Sequence, residues 1–117
     1  MKHRLVINDA IIILPGRISE KGYVVCEDGM ITQIGQGYFP TTESDEVINA
    51  GGLYVSPGFI DMHTHGAGGY DFMDGTVEAY LGAAKMHAKH GITSLLPTTL
   101  TSTNEELLKT FSIYKEA

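Results

Sequence analysis

Pro57-Gly58-Phe59-Ile60-Asp61-Met62-His63-Thr64-His65-Gly66 is the stretch on which the fold turns. Phe59 to His65 has the length of a strand and no helical repeat. A glycine-rich run follows at once, Gly66-Ala67-Gly68-Gly69-Tyr70-Asp71-Phe72-Met73-Asp74-Gly75. That run is long for a strand-to-helix connection, so it reads as functional rather than as filler. Seven of the 14 glycines fall between Gly51 and Gly75, where the backbone must turn sharply or approach something closely. Beyond it, apolar positions 77, 80, 81, 84 and 88 recur at helical spacing, with Thr76 placed as an N-cap and Gly91 as the glycine that ends the helix. Ile92 to Leu96 makes a short strand closed by Pro97. Ser102-Thr103-Asn104-Glu105 matches a capping box, and Leu107, Leu108, Phe111 and Tyr114 give a second helix its apolar face. Strands alternating with helices imply parallel pairing through right-handed crossovers.

Upstream of Pro57 the chain reads as short strands. Leu5-Val6-Ile7 and Ala10 to Leu14 are apolar and β-branched, separated by Asn8-Asp9 as a turn signal and closed by Pro15-Gly16. Tyr23 to Glu27 and Met30 to Ile34 flank Asp28-Gly29, the preferred filling of a two-residue type I′ hairpin turn. Gln36 to Glu46 is polar and turn-rich, and Val47-Ile48-Asn49 and Leu53-Tyr54-Val55 flank Ala50-Gly51-Gly52.

Composition bounds what such a chain can do. Its 117 residues allow one modest domain's worth of core, and 43% apolar with 19% charged residues is an ordinary globular balance. The net charge is -6, and the 8 Lys+Arg residues form no run, so there is no electrostatic footprint for nucleic acid. The basic-then-apolar start is broken by Asn8-Asp9 and lacks a cleavage site, and no apolar run is long enough to span a membrane. The single cysteine, Cys26, excludes an internal disulfide and reads as a small buried hydrophobe in a reducing, cytoplasmic setting.

The chemistry concentrates at His63 and His65. Side chains on a strand alternate, so both imidazoles project to one side, with Asp61 a step behind them. Two neutral imidazoles on one face suit Zn²⁺ or Fe²⁺, although a catalytic zinc normally takes three protein ligands plus water. Exposed strands also carry alternating histidines without binding metal. His87 and His90 read as surface residues near a helix end, and His3 gets no role. Asp71 and Asp74 are either an acid/base pair or, as loop carboxylates near a helix N-terminus, caps. Gly66-Ala67-Gly68-Gly69 lacks the Gly-Lys-Ser/Thr ending of a phosphate loop. After Leu96-Pro97, either Thr98 or Thr99 faces the histidine side, or Pro97 simply ends the strand.

Val24 to Gly35, and above all Pro57-Gly58-Phe59-Ile60-Asp61-Met62-His63-Thr64-His65-Gly66, resemble the opening of the amidohydrolase superfamily. Within it, His65 to Gly75 together with Leu96 to Ser102 resemble the N-acetylglucosamine-6-phosphate deacetylases. The resemblance implies an α/β fold: the amino-terminal part of a small β-sandwich in residues 1–56, then the first two βα units of a metal-dependent (β/α)8 barrel in residues 57–117. It implies that His63 and His65 ligate a divalent metal, zinc or iron, one or two per complete subunit. Asp61 would lie behind the ligands, and Gly66, Gly68, Gly69, Asp71 and Thr98 would lie on the substrate side. Some deacetylases replace the histidine pair and work with one metal; this sequence keeps both. The remaining ligands and a catalytic aspartate would come from later strands, so no catalytic residue is expected before Ala117. The substrate implied is an amino-sugar phosphate, hydrolysed to acetate and glucosamine 6-phosphate by a homodimer with no nucleic-acid or membrane partner. Other amidohydrolases, dihydroorotase-like or adenine-deaminase-like, are competing readings, as is a short self-associating module without activity. A barrel takes about 250 residues, so the sequence reads as the front part of a longer enzyme that is inactive by itself.

Overall fold

The computed structural model describes residues 3–117, which divide into two compact units at the Pro57–Gly58 bond. The first unit is a sheet of β1 (Arg4–Leu14), β2 (Arg17–Glu27), β3 (Met30–Gln36), β4 (Glu46–Asn49) and β5 (Tyr54–Val55). Its order is β3-β2-β1-β4, with β5 also pairing β1 further along. The β1–β2 and β2–β3 pairs are antiparallel, whereas β4 and β5 run parallel to β1. Asp28 and Gly29 both have positive φ, 50° and 81°, which is the type I′ geometry expected of Asp-Gly between paired strands.

Asn8-Asp9 is not a turn. A single strand runs through it, because Asp9 takes a left-handed φ of 53° and forms a bulge. A second bulge near Lys21 (φ 53°) on β2 restores the register before Ile12 meets Ser19. Val6, Asn8, Ala10 and Ile12 therefore all stay buried at period two. The Asn8 side chain replaces a ladder partner: Nδ2 donates to the Phe39 carbonyl at 3.0 Å, and Oδ1 accepts from the Phe39 N–H at 2.8 Å. Its own carbonyl accepts from Ala50 N–H at 2.8 Å. The core is Ala10, Ile12, Val24 and Ala50, with Ile7, Leu14, Val55 and a half-buried Cys26 packed against it. Arg17 to Gly22 is strand despite its polar sequence, since Pro15-Gly16 folds it back onto β1 as a hairpin. His3, given no role from sequence, ties the sheet end: its carbonyl accepts from Asp28 N–H at 3.0 Å, and Nε2 lies 2.9 Å from Glu46 Oε2.

The second unit contains β6 (Phe59–Thr64), β7 (Gly66–Ala67), β8 (Tyr70–Asp71), α1 (Val77–Lys89), β9 (Ile92–Pro97) and α2 (Asn104–Glu116). β6 and β9 are parallel and joined through α1. Thr76 caps α1 by accepting from Ala79 N–H at 3.2 Å, and Gly91, at φ 85°, ends it. The second cap lies one residue later than the sequence suggests. Thr103 is the N-cap and Glu106 its reciprocal partner, with Ser102 bonded to Glu106 from outside.

The helical faces also differ from the apolar count. In α1 the buried residues are Ala79 and Ala83, while Leu81 is half exposed, because small side chains admit β7 and β8 against the helix. In α2 the buried residue is Thr110, and Leu108 and Phe111 stay exposed. Consecutive β6 residues point to opposite faces, yet Phe59 is 65% and Ile60 70% exposed. A parallel pair normally has both faces covered; here β6 is bare on both faces at its start, while Thr64 at its end is buried toward α1.

Candidate metal centre

His63 is the penultimate residue of β6 and His65 follows its last residue. Their rings lie together, centroids 5.1 Å apart and planes at 78°. His63 is exposed and His65 half-buried, and His65 Nδ1 is a buried nitrogen with no hydrogen-bond partner among the described residues. An unpartnered buried imidazole nitrogen beside a second imidazole is what a pair of metal donors presents, so the residues fit a divalent ion as two of its ligands. Among the described residues no cluster of three His, Cys, Asp or Glu side chains forms. A complete catalytic site needs donors from outside these elements. Asp61 does not aim at the ring pair through its Oδ1, which accepts from the His63 backbone N–H at 3.1 Å and steadies the strand end.

The loop that follows is folded. β7 and β8 form a hairpin, Gly66 opposite Asp71 and Ala67 opposite Tyr70, turned by Gly68 and Gly69 at φ 64° and 86°. Gly66 has no room for a side chain, because a Cβ there would lie 2.1 Å from the Tyr70 carbonyl oxygen. Tyr70 lies over Gly82 and Gly68 lies beside Met86, so the hairpin rests on α1. Asp71 and Asp74 hold the loop's own backbone: Asp71 Oδ1 accepts from Met73 N–H at 2.8 Å and Asp74 Oδ2 from Asp71 N–H at 2.9 Å. These bonds tie the loop to itself, and the N-cap of α1 is Thr76 rather than either aspartate.

Thr98 meets the strand end directly. Its N–H donates to the Thr64 carbonyl at 2.8 Å, and its Oγ1 accepts from Thr64 N–H at 3.2 Å. His87, read from sequence as a surface residue, is half-buried behind the same strand end. Its Nε2 shares a 3.0 Å hydrogen bond with Thr64 Oγ1, and its ring stacks on Phe72 with planes 9° apart. The sequence signal that could have found it is the i, i+4 spacing of His87 from Ala83, the buried residue one turn earlier on the same helical face. Phe72, 1% exposed, donates its N–H to the His65 carbonyl at 2.9 Å.

Residues 46–104 match the model of an amidohydrolase family. The chain is 33% identical over 97 residues to an N-acetylglucosamine-6-phosphate deacetylase of Lysinibacillus sphaericus, covering 83% of this chain and 24% of that one. It is 50% identical over 42 residues to a dihydroorotase of Trichlorobacter lovleyi, covering 36% of this chain and 10% of that one. In structure it is similar to the N-acetylglucosamine-6-phosphate deacetylase of Pasteurella multocida, with a TM-score of 0.88 and 25% identity over 97% of this chain and 30% of that one. The chain spans about a quarter of the length of the curated deacetylases it matches.

Proposed function

The chain belongs to the amidohydrolase family, and from that premise we propose that it carries the first metal-binding strand of a hydrolase acting on N-acetylglucosamine 6-phosphate. The reaction cleaves the acetamide C–N bond with water and gives acetate and glucosamine 6-phosphate. The observation that carries the site is the His63/His65 pair at the carboxyl end of a parallel strand, the end at which (β/α)8 barrels build their active sites. What supports the substrate class is the likeness to deacetylases along most of the chain, where the dihydroorotase match covers about a third of it.

In this reading β6, α1, β9 and α2 are the first two βα units of a barrel, and the sheet of β1 to β5 is part of a small sandwich. The bare faces of β6 support this, since further barrel elements would cover them. His63 and His65 supply two imidazole donors to zinc or iron, one or two ions per complete subunit. The bound ion would supply Lewis acidity for the amide carbonyl and a more acidic water. Asp61 holds the His63 backbone, and the β7–β8 hairpin with Gly66, Gly68 and Gly69 forms one wall on the substrate side. The third donor, the proton-shuttling carboxylate and the phosphate-binding groups come from the length that the deacetylases have beyond this chain's coverage, in a cytoplasmic homodimer. The test is turnover by the complete gene product that carries this sequence, offered N-acetylglucosamine 6-phosphate, dihydroorotate and a deoxyadenosine. Acetate release is expected to exceed the other two turnovers by at least about 10³-fold, the scale on which a site built around specific polar groups discriminates. Preferential ring opening or deamination would overturn the assignment.

A further inference from the structure

We infer that Thr64 and His87 are positioning residues that set the direction in which His63 and His65 point. Thr64, 8% exposed, sits between the two histidines in sequence and on the opposite side of the pleat. Its hydroxyl is engaged from α1 by His87 Nε2 at 3.0 Å. Its backbone is engaged on both polar atoms by Thr98, the carbonyl at 2.8 Å and the N–H at 3.2 Å. His87 is fixed in turn by its parallel stack on Phe72, and Phe72 N–H holds the His65 carbonyl. Thr64 is thus held from the helix, from the end of β9 and, through its neighbour, from the loop. With its side chain drawn toward α1, its two neighbours are directed away from α1, where their rings meet.

His65 Nδ1 has no hydrogen-bond partner among the described residues and His63 is exposed, while Asp61 and Phe72 hold only the backbone of the two histidines, the His63 N–H and the His65 carbonyl. Orientation that a ligand's own hydrogen bonds usually provide is here provided through the residue between the ligands. The sequence Met62-His63-Thr64-His65 alone does not reveal this, because the partner of Thr64 lies 23 residues away on a helix.

This inference rests on His63 and His65 being metal donors, and the experiment separates the two. Zn²⁺ affinity of the complete gene product is measured by competition with a chromogenic chelator, together with the visible absorption of the Co²⁺ form. Thr64→Val deletes the hydroxyl at constant shape, Thr64→Ser retains it, and His87→Phe keeps a ring on Phe72 while removing Nε2. Thr64→Val and His87→Phe are expected to bind roughly tenfold more weakly with an altered Co²⁺ band, and Thr64→Ser to stay within roughly threefold of the unaltered protein. Folded Thr64→Val or His87→Phe protein with unaltered affinity and spectrum would overturn the positioning role alone. If Thr64→Val fails to fold, His87→Phe decides. Absence of binding by the unaltered protein would overturn the donor reading and the positioning role with it.

Discussion

Placing a methyl group on Gly66 puts the close approach beside His65 to a direct test. In Gly66→Ala the new Cβ would lie 2.1 Å from the Tyr70 carbonyl oxygen and 2.8 Å from the Asp71 Cα, where ordinary contact begins at 3.4 Å. Both obstacles are backbone atoms of the facing strand, so no side-chain rotation relieves the overlap. β8 must retreat by more than an ångström, breaking the Gly66–Asp71 and Ala67–Tyr70 pairs and loosening the Phe72 N–H from the His65 carbonyl. Overpacking of this kind costs about 1–3 kcal/mol, and the upper end applies where nothing flexible can yield. Gly69→Ala is the internal control. Nothing lies within 4 Å of its Cβ, and only its φ of 86° opposes alanine, a cost of about 1–2 kcal/mol. Hydrogen exchange at the Phe72 amide reads the local opening, and chemical denaturation reads the global cost. Gly66→Ala is expected to accelerate Phe72 exchange by at least about tenfold over Gly69→Ala, a difference of about 1.4 kcal/mol in local opening. Equal exchange in the two variants would refute the close-approach argument.

The remaining predictions concern the two units separately and the proposed enzyme. The Arg4 guanidinium, bonded to both Asp45 oxygens at 2.7 and 2.8 Å, together with the Thr42 N–H, holds the Asp45 carboxyl well below the usual carboxylate range. A lowered folded-state pKa contributes stability that is complete above the unfolded value near 3.9 and is lost as pH falls below it. The stability gap between the unaltered protein and Asp45→Asn should therefore be level above about pH 5 and shrink from about pH 4 downward; a gap independent of pH contradicts this. Thr103→Ala should destabilise α2 by about 1 kcal/mol and Ser102→Ala by less, measured by thermal unfolding; the reverse order would place the cap at Ser102 after all. The 117-residue chain prepared alone should release no acetate from N-acetylglucosamine 6-phosphate and should self-associate through the bare faces of β6. Light scattering should show Ile60→Lys reducing that association, and a monodisperse monomer or metal-dependent turnover would contradict the expectation.

What could be read in the sequence follows from how local the controlling interaction is. Asp28-Gly29, Thr76 and Gly91 act within four residues of themselves, and each behaves in the structure as its chemistry dictates. The bulge at Asn8-Asp9 has the composition of a turn, and long-range partners make it continuous strand: Asn8 pairs with Asn49 of β4, its carbonyl accepts from Ala50 N–H, and its side chain bonds Phe39, 31 residues away. The capping box slipped by one residue because Ser102 and Thr103 offer the same hydroxyl and Glu105 and Glu106 the same carboxylate; the helix start selects among them. In α1 and α2 the apolar count favoured Leu81, Leu108 and Phe111, but helix approach selected the small side chains of Ala79, Ala83 and Thr110. At the site, the facing of His63 and His65 follows from alternation over three residues and was legible. The roles of His87 and of the β7–β8 hairpin depend on packing between β6, α1 and the loop, which no local pattern encodes.

The metal content of the complete gene product tests the central claim most directly. Elemental analysis should find one or two divalent ions per chain in the unaltered protein, and His63→Ala/His65→Ala should lose at least one of them together with acetate release. Equal metal content in the two proteins, or full deacetylation by the double variant, would contradict the assignment of His63 and His65 as the ligands on which the hydrolase depends.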